Sequence, residues 1–368
     1  MKTVVDQAIA EIQPYVPGKP LSELERELGL AWPEAGAIKL ASNENPLGPS
    51  PLAVEAARQA LQESQLYPDG SAYYLRQAIA KKHRVAEAWI STGSGSNELI
   101  DLFVQTFCSP DEEVLAPAYS FACYKLSALG HRRKFREVAV GPRFEIDVEA
   151  VLKAVRPETK LLFIANPNNP TGAYLARTDI EALMTKLPPE IVLVVDEAYV
   201  EYVRSKDFLS AFEFQSARKR WAVLRTFSKV YGLAGLRVGY AIAPADLTAY
   251  VDRVRMAFNV NSVAQAAALA ALGDDAHVAR SVESNTHQMF ALESGLGALG
   301  FDVLPSQGNF LLVESRKRPA QVIYQALLKA GVIVRPVPNY GLPNHLRITV
   351  GTTAQNERLL HALATILS

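Results

Sequence analysis

Cysteine is nearly absent from this chain, and its ionisable residues leave no net charge. The two cysteines, Cys108 and Cys123, are too few for a disulfide framework in 368 residues. The 38 Lys and Arg residues balance the 38 Asp and Glu residues, so the formal net charge is zero. Because a polyanion-binding surface is strongly basic, the composition argues against a nucleic-acid partner.

Long apolar runs and metal-ligand spacings are missing as well. The N-terminal residues MKTVVDQAIAEIQPYV carry Asp6 and Glu11 where a signal peptide needs an apolar core. The least charged stretch, residues 259–273, is too short and too polar to cross a bilayer. The six histidines form no HExxH motif or other metal-ligand spacing. We therefore expect a cytoplasmic protein with no membrane partner and no metal site.

Near-continuous apolar runs separated by helical periodicity predict an α/β fold. Hydrophobic residues make up 49% of the chain and charged residues 21%, as in ordinary globular proteins. Runs without polar alternation indicate strands that are covered on both faces. The intervening helices favour a mostly parallel sheet flanked by helices. The runs are EEVLAP at 112–117, KLLFIAN at 160–166, IVLVVDEAY at 191–199, WAVLRTFS at 221–228 and RVGYAIA at 237–243.

The pattern changes after residue 261, which predicts a second, smaller domain. An Ala-rich helix and a longer amphipathic helix at 276–299 precede three apolar runs and a further helix at 320–330. This order is typical of an α+β unit. We predict a large domain at 46–261 and a small domain formed by 262–368 with the N-terminal arm, 1–45.

Polar side chains follow three of the predicted strands. Asn169 follows the run at 160–166, Asp196 and Tyr199 end the run at 191–199, and Lys229 follows the run at 221–228. Ligands of open parallel sheets bind outside the carboxyl ends of the strands, so these side chains are expected to meet.

A run of small residues precedes a predicted helix that starts near residue 97. Small residues at such a position let backbone N–H groups approach an anion, and the helix dipole favours negative charge there. The segment STGSGSNE at 91–98 therefore predicts a phosphate site.

Pyridoxal phosphate is the cofactor that needs a phosphate site, a lysine and a carboxylate together. The amine of Lys229 can form a Schiff base with its aldehyde, and Asp196 can pair with the ring nitrogen. Tyr119, after the run at 112–117, is predicted to stack on the ring. Taken singly, each residue is more simply structural: a capping carboxylate, a surface lysine or an edge aromatic. A dinucleotide site fits less well, because Glu98 occupies the third glycine position of the GxGxxG pattern.

The motifs NPNNPTG, VVDEAY and TFSKVYGLAGLRVGY resemble those of the fold type I, aspartate-aminotransferase-like pyridoxal-phosphate enzymes. The resemblance implies that Lys229 forms the Schiff base, that Asp196 binds the pyridine nitrogen, and that Asn169 and Tyr199 bind the ring oxygen. It also implies a set of residues that bind the cofactor phosphate: Ser94, Gly95, Ser96, Asn97, Ser228 and Arg237.

The N-terminal half resembles the histidinol-phosphate aminotransferase family in PYVPGKPLSELERELG, KLASNENPLGPSP and QLYPDGSAYYLR. That resemblance implies a homodimer in which Tyr67 reaches the cofactor phosphate of the neighbouring subunit. Tyr15 is expected to line the substrate pocket, also from the partner chain, and Asn43 to contact the substrate. Asn97 departs from the Asp that is usual in this family, which leaves the role of its side chain open.

Two arginines of the C-terminal part, Arg335 and Arg347, are candidates for substrate binding, although either could be an ordinary ion-paired residue. Guanidinium groups suit both carboxylate and phosphate.

The resemblance implies a ping-pong transamination between L-histidinol phosphate and 2-oxoglutarate, giving imidazole acetol phosphate and L-glutamate. An aromatic amino-acid aminotransferase would share every catalytic residue. A phosphothreonine-type decarboxylase of the same fold and a cofactor-sensing module are further alternatives.

Overall fold

The computed structural model describes residues 4–5, 7–10, 12–15, 17–27, 29 and 36–368. Other positions of the predicted N-terminal arm, 1–3, 6, 11, 16, 28 and 30–35, lie outside the described residues. The strands are β1 (Ile38–Lys39), β2 (Ile90–Gly93), β3 (Glu113–Pro117), β4 (Lys134–Val138), β5 (Thr159–Ala165), β6 (Val192–Asp196), β7 (Trp221–Thr226), β8 (Gly239–Ile242), β9 (Phe301–Val303), β10 (Phe310–Ser315), β11 (Val332–Ile333), β12 (Arg335–Val337) and β13 (Leu342–Thr349).

Helices alternate with these strands along most of the chain. They are α1 (Gln7–Ala10), α2 (Leu21–Glu27), α3 (Pro51–Ala60), α4 (Tyr73–His83), α5 (Ser96–Phe107), α6 (Cys123–Gly130), α7 (Val148–Lys153), α8 (Arg177–Lys186), α9 (Ala245–Val254), α10 (Ser262–Leu272), α11 (Asp275–Ala298), α12 (Ala320–Lys329) and α13 (Thr353–Leu367). None of the helices in the described part of the chain is both long and apolar enough to cross a membrane.

The larger sheet has seven strands in the order β2-β8-β7-β6-β5-β3-β4. Neighbouring strands from β7 through β4 run parallel, whereas β8 is antiparallel to both β7 and β2. The predicted mostly parallel sheet is therefore confirmed, with one reversed strand. The reversal follows from the short connection between β7 and β8, which holds no crossover helix.

Both faces of this sheet are buried, which explains why its strands are apolar without alternation. In β5, Leu162 and Ile164 face one core, and Leu161 and Phe163 face the other. Helices α5, α6 and α9 cover the second face, and α3, α4, α8 and α10 cover the first. This sandwich leaves the carboxyl ends of the strands open at one edge, where ligands bind in such folds.

The smaller sheet is antiparallel, in the order β12-β13-β10-β9, and packs against α11, α12 and α13. The N-terminal part packs beside it: β1 pairs in parallel with β11 in a separate two-stranded sheet, and Leu40 is buried in the same core as the smaller sheet. Helix α10, however, belongs to the core of the larger sheet, through residues such as Ala264 and Ala268. Helix α11 passes from one core to the other: its early residues Val278 and Val282 pack against the core of the larger sheet, and its later residues Met289 and Leu292 lie in the core of the smaller sheet. The boundary at 261/262 stays a prediction, and this packing favours a later one.

Candidate active site

A cavity of about 230 Å³ lies where the carboxyl ends of β5, β6 and β7 face the smaller sheet. The N-terminal segment closes one side of it, because Gly18 lies so near Ser42 that a Cβ atom there would be 2.9 Å from the Ser42 hydroxyl. The sequence-predicted residues that line the cavity are Tyr15, Asn43, Ser96, Asn97, Asn169, Asp196, Tyr199, Ser228, Lys229, Arg237, Arg335 and Arg347.

Lys229 is the only lysine among the described residues that line the cavity. Its Nζ donates a hydrogen bond to the carbonyl of Ser42 at 3.1 Å and lies 5.4 Å from the ring centroid of Tyr199. Burial, together with the nearby charge of Arg347, lowers the pKa of the Lys229 amine to about 7. A large share of this amine is therefore uncharged at neutral pH, which is the form that attacks a carbonyl carbon.

Asp196 ends β6, lines the same cavity and is almost completely buried, with 4% of its surface exposed. The phenol of Tyr124 donates to its Oδ2 at 2.9 Å, and the backbone N–H of Ala198 donates to its Oδ1 at 3.2 Å. Burial raises the pKa of Asp196 to about 6, and the two hydrogen bonds limit that rise. A buried carboxylate of this kind is suited to face a cationic ring nitrogen.

The phenol oxygen of Tyr199 accepts hydrogen bonds from two amides. Asn43 donates from Nδ2 at 3.0 Å, and Asn169 donates from Nδ2 at 3.3 Å. Burial nevertheless raises the pKa of Tyr199 to about 12, so the phenol stays protonated at neutral pH. Its proton remains available for donation to a ligand oxygen in the cavity.

The anion loop, residues 93–97, connects β2 to the N-terminus of α5 and lies against Arg237. Arg237 Nη1 donates to the Ser228 hydroxyl at 3.3 Å. Gly95 has a φ of +77°, and a Cβ atom there would lie 2.3 Å from Arg237 Nη2. A Cβ atom on Gly239 would likewise lie 2.7 Å from the Ser96 nitrogen. Glycines are thus required for the guanidinium, a hydroxyl and a helix N-terminus to meet, and these groups together can bind a phosphate.

Arg335 and Arg347 lie directly opposite each other on β12 and β13, and each has 5% of its surface exposed. Arg347 Nη1 donates to Asn169 Oδ1 at 2.6 Å, while its buried Nε has no hydrogen-bond partner. The Arg335 guanidinium lies 5.6 Å from the ring centroid of Tyr15. Like charges on facing residues repel, so this arrangement is suited to anionic groups bound between or beside them.

Four predicted site residues do not line the cavity. Ser94 and Gly95 lie behind the wall as parts of the anion loop, and Tyr67 is 83% exposed and stacks on Phe258. Tyr119 adopts a left-handed backbone conformation, with φ at +56°, and packs its ring 5.1 Å from Phe144. Phe121, two positions later, lines the cavity. The stacking role of Tyr119 stays a prediction, and Phe121 is a second candidate for it.

Tyr15 lines the cavity of its own chain, whereas the resemblance implied that it comes from the partner chain. Gly18, three positions later, lies against Ala41 and Ser42 of the same chain. Two residues of the site were not predicted from the sequence: Tyr124, which donates to Asp196, and Glu44, which contacts Lys39 at 2.5 Å and lines the cavity. Glu44 lies within a motif that was quoted for other residues, whereas Tyr124 lies outside every quoted motif. No group of His, Cys, Asp and Glu within the described ranges is arranged to hold a metal ion.

One cavity thus brings together a lysine of lowered pKa, a buried carboxylate and the anion loop. The family profile of aminotransferases class I and II matches residues 35–363. The chain belongs to that family. This aminotransferase is 50% identical over 364 residues to the histidinol-phosphate aminotransferase of Anaeromyxobacter sp. (strain Fw109-5), covering 99% of each chain.

Two solved structures extend the comparison to the fold. Histidinol-phosphate aminotransferase from Sinorhizobium meliloti, crystallised in complex with pyridoxal-5'-phosphate, is 28% identical with a TM-score of 0.89, covering 100% of this chain and 98% of that chain. A single mutant of Thermus thermophilus aspartate aminotransferase is 26% identical with a TM-score of 0.83, covering 99% of this chain and 100% of that chain. The predicted aspartate-aminotransferase-like fold type I is confirmed.

Proposed function

We propose that this aminotransferase uses pyridoxal phosphate to move an amino group from L-histidinol phosphate to 2-oxoglutarate. The products are imidazole acetol phosphate and L-glutamate, and the reaction belongs to histidine biosynthesis. The observation that carries the proposal is the convergence, in one cavity, of Lys229, Asp196, the anion loop and the arginine pair Arg335 and Arg347. The identity of 50% to a histidinol-phosphate aminotransferase supports the choice of substrate.

The residues of the cavity fit pyridoxal phosphate in the chemistry of their donors. The anion loop, Ser228 and Arg237 would hold the phosphate, and the absence of a Cβ atom at Gly95 keeps Arg237 in place. Asp196 would bind the ring nitrogen, the phenol of Tyr199 the ring oxygen, and Phe121 one face of the ring. Lys229 would hold the aldehyde carbon. The bound cofactor supplies an electron-withdrawing ring that stabilises negative charge on the substrate carbon.

Lys229 is the proposed general base and acid. With the cofactor bound and its own amine free, Lys229 would take the proton from the substrate carbon as a base and give the same proton to the cofactor carbon as an acid. Its lowered pKa, about 7, suits both directions of that transfer near neutral pH. Tyr199 and Asn169 would donate hydrogen bonds to the ring oxygen, and Asp196 would keep the ring nitrogen protonated.

Arg347 and Arg335 are proposed to divide the recognition of anionic substrate groups. Arg347 contacts Asn169 and so lies on the cofactor side of the cavity, where a substrate carboxylate would bind. Arg335 lies beside Tyr15 at the N-terminal wall and would bind the phosphate of histidinol phosphate. Two half-reactions that alternate a phosphate and a carboxylate then share one site, which leads to ping-pong kinetics.

We further propose that the active protein is a cytoplasmic homodimer. The surface patch formed by Leu66, Tyr67, Met256 and Phe258 is apolar, with exposed fractions of 61%, 83%, 74% and 46%. Large exposed apolar residues that cluster are typical of interaction surfaces. A second copy of the chain is the proposed partner, with Tyr67 reaching the neighbouring cofactor phosphate. The substrates are small intracellular metabolites, which supports the cytoplasm as the compartment.

The decisive experiment follows the absorption spectrum and turnover of the purified, cofactor-loaded protein. Histidinol phosphate is expected to shift the cofactor band and, with 2-oxoglutarate, to yield glutamate. The Lys229→Ala variant is expected to lose at least about 10³-fold in turnover, because it removes the proton carrier as well as the attachment point. The surface variant Lys206→Ala serves as the matched control.

Three results would contradict the proposal in different ways. A protein that gains no cofactor band would exclude pyridoxal phosphate. Turnover of phenylalanine without turnover of histidinol phosphate would make the enzyme an aromatic amino-acid aminotransferase. Release of carbon dioxide without any need for 2-oxoglutarate would make it a decarboxylase.

A further inference from the structure

We propose that Asn259 is a positioning residue for the anion loop, although it does not line the cavity. It acts through Glu98, which lies in the first turn of α5 directly after the loop. The inference deepens the proposed function and rests on it, because the ligand of the loop is the phosphate of pyridoxal phosphate.

Asn259 holds the loop at two points. Its Nδ2 donates to Glu98 Oε2 at 2.7 Å and to the carbonyl of Thr92 at 3.0 Å. The same Glu98 oxygen accepts the backbone N–H of Ser94 at 2.5 Å. One amide group therefore fixes the last residues of β2 and, through one carboxylate, the first residues of the loop.

The orientation of the Asn259 amide is itself determined by a neighbour. Arg255 Nη1 donates to Asn259 Oδ1 at 2.7 Å and to the carbonyl of Gly70 at 3.1 Å. Since a guanidinium group only donates, the amide oxygen must face Arg255, and the NH₂ group must face Glu98. Phe258, just before Asn259, has a φ of +58°, a left-handed backbone conformation that is unfavourable for an aromatic residue. Such a conformation persists only where the surrounding contacts hold it.

Charge explains why this contact matters for phosphate binding. The Glu98 carboxylate lies at the end of α5 where the phosphate is proposed to bind, so two negative groups approach each other. Both donors to Glu98 Oε2, Ser94 N–H and Asn259 Nδ2, hold the carboxylate in one position and offset part of its negative charge. Without Asn259 the carboxylate loses a donor, and the loop loses its fixed conformation.

The test compares two ligands that differ only in the phosphate group. Apoprotein is titrated with pyridoxal phosphate and with pyridoxal, and binding is followed by absorbance. Asn259→Asp is expected to weaken pyridoxal phosphate binding by about 10–100-fold, the loss typical of a hydrogen bond to a charged group plus repulsion, and to leave pyridoxal binding unchanged. Asn259→Ala is measured in parallel and is expected to show the same selectivity with a smaller loss.

A second substitution makes the test independent of folding defects. Adding Glu98→Gln to Asn259→Asp removes the repulsion between two carboxylates and lets the glutamine amide donate to the new carboxylate. Because one Glu98 oxygen accepts from both Ser94 N–H and Asn259 Nδ2, the bond to Ser94 N–H is given up in this pair. We expect the pair to recover part of the lost affinity. Asn344→Asp, at an exposed position of β13, adds the same charge and is expected to change neither affinity.

The outcomes separate the inference from the function on which it rests. Equal losses for the two ligands, or no loss for either, would overturn the role of Asn259 while the proposed function stands. Failure of Glu98→Gln to recover affinity would also contradict the pathway through Glu98. A wild-type protein that binds neither ligand would overturn both proposals.

Discussion

At the scale of single residues, the site depends on charges that burial makes unfavourable. Lys229 and Asp196 both lie in the cavity wall, and burial favours the uncharged form of each group. It lowers the pKa of the amine to about 7 and raises the pKa of the carboxyl group to about 6. Both shifts oppose folding of the ligand-free chain at neutral pH. A bound ligand that brings an opposite charge to either group would favour its charged form and so offset part of this cost.

The amine of Lys229 is expected to destabilise the ligand-free protein in a pH-dependent way. Its folded pKa of about 7 lies below the usual value of 10.5, so the unfolded chain binds more protons between these values. Stability therefore rises with pH across that window, and the penalty is fully present below about pH 7. Lys229→Met should increase the free energy of unfolding more at about pH 6 than at about pH 9, as measured by urea denaturation. The exposed Lys206→Met is the control, and a gain that does not vary with pH would contradict the prediction.

Tyr124 is expected to set the acid limit of cofactor binding through Asp196. Its hydrogen bond favours the charged carboxylate, so its removal in Tyr124→Phe should raise the pKa of Asp196 further. The acid limb of pyridoxal phosphate affinity against pH should then move to higher pH by about 0.5–1 unit, the equivalent of one hydrogen bond. Tyr174→Phe, which removes a surface phenol bonded to Ser205 and Asp207, should leave the limb in place. An unmoved limb in Tyr124→Phe would exclude this role.

At the scale of structural elements, the anion loop depends on a glycine at a position where a side chain does not fit. Gly95→Ala would place a methyl group 2.3 Å from Arg237 Nη2 on a backbone with φ at +77°. We expect a loss of about 1–2 kcal/mol in stability from the left-handed backbone and at least about a tenfold loss in pyridoxal phosphate affinity from the displaced guanidinium. Urea denaturation and ligand titration measure the two effects separately.

The matched control for this prediction is Gly297→Ala, in the last turn of α11. No atom lies within 4 Å of the added Cβ there, apart from the helix's own neighbouring backbone, so alanine should stabilise the helix by about 0.5–1 kcal/mol. Equal behaviour of the two variants would show that the geometry of the loop places no demand on Gly95.

The elements also show what the sequence could and could not predict. The five apolar runs all contain strands, namely β3, β5, β6, β7 and β8. A strand that is buried on both faces needs apolar residues at consecutive positions, and such a run is visible in the sequence. The direction of β8 was not predictable from its composition, because a fully buried strand looks the same in either direction. Nor was it predictable that Phe121 lines the cavity and Tyr119 does not, because Tyr119 has a left-handed backbone conformation that nothing in the motif PAYSF marks.

At the scale of the whole molecule, the apolar patch of Leu66, Tyr67, Met256 and Phe258 predicts a dimer that a charge would weaken. The wild-type chain of 40.2 kDa should sediment as a dimer. Met256→Glu should shift it toward the monomer, because it buries a charge in an apolar contact. Val322→Glu, on an exposed residue of α12, is the control. A monomeric wild-type protein that is fully active would contradict the homodimer.

The chain has no net charge, but more basic than acidic side chains line its cavity. Lys229, Arg237, Arg335 and Arg347 line it, against the carboxylates Asp196 and Glu44. A small dianion should therefore bind the ligand-free protein and stabilise it by mass action, so saturating inorganic phosphate is expected to raise the melting temperature by about 2–5 °C. Sodium chloride at matched ionic strength controls for screening. Arg237→Gln should lose most of this shift and Arg316→Gln, on an exposed arginine, should keep it. An equal shift in both variants would mean that phosphate binds elsewhere, and the charge of the cavity would then not explain its affinity for anions.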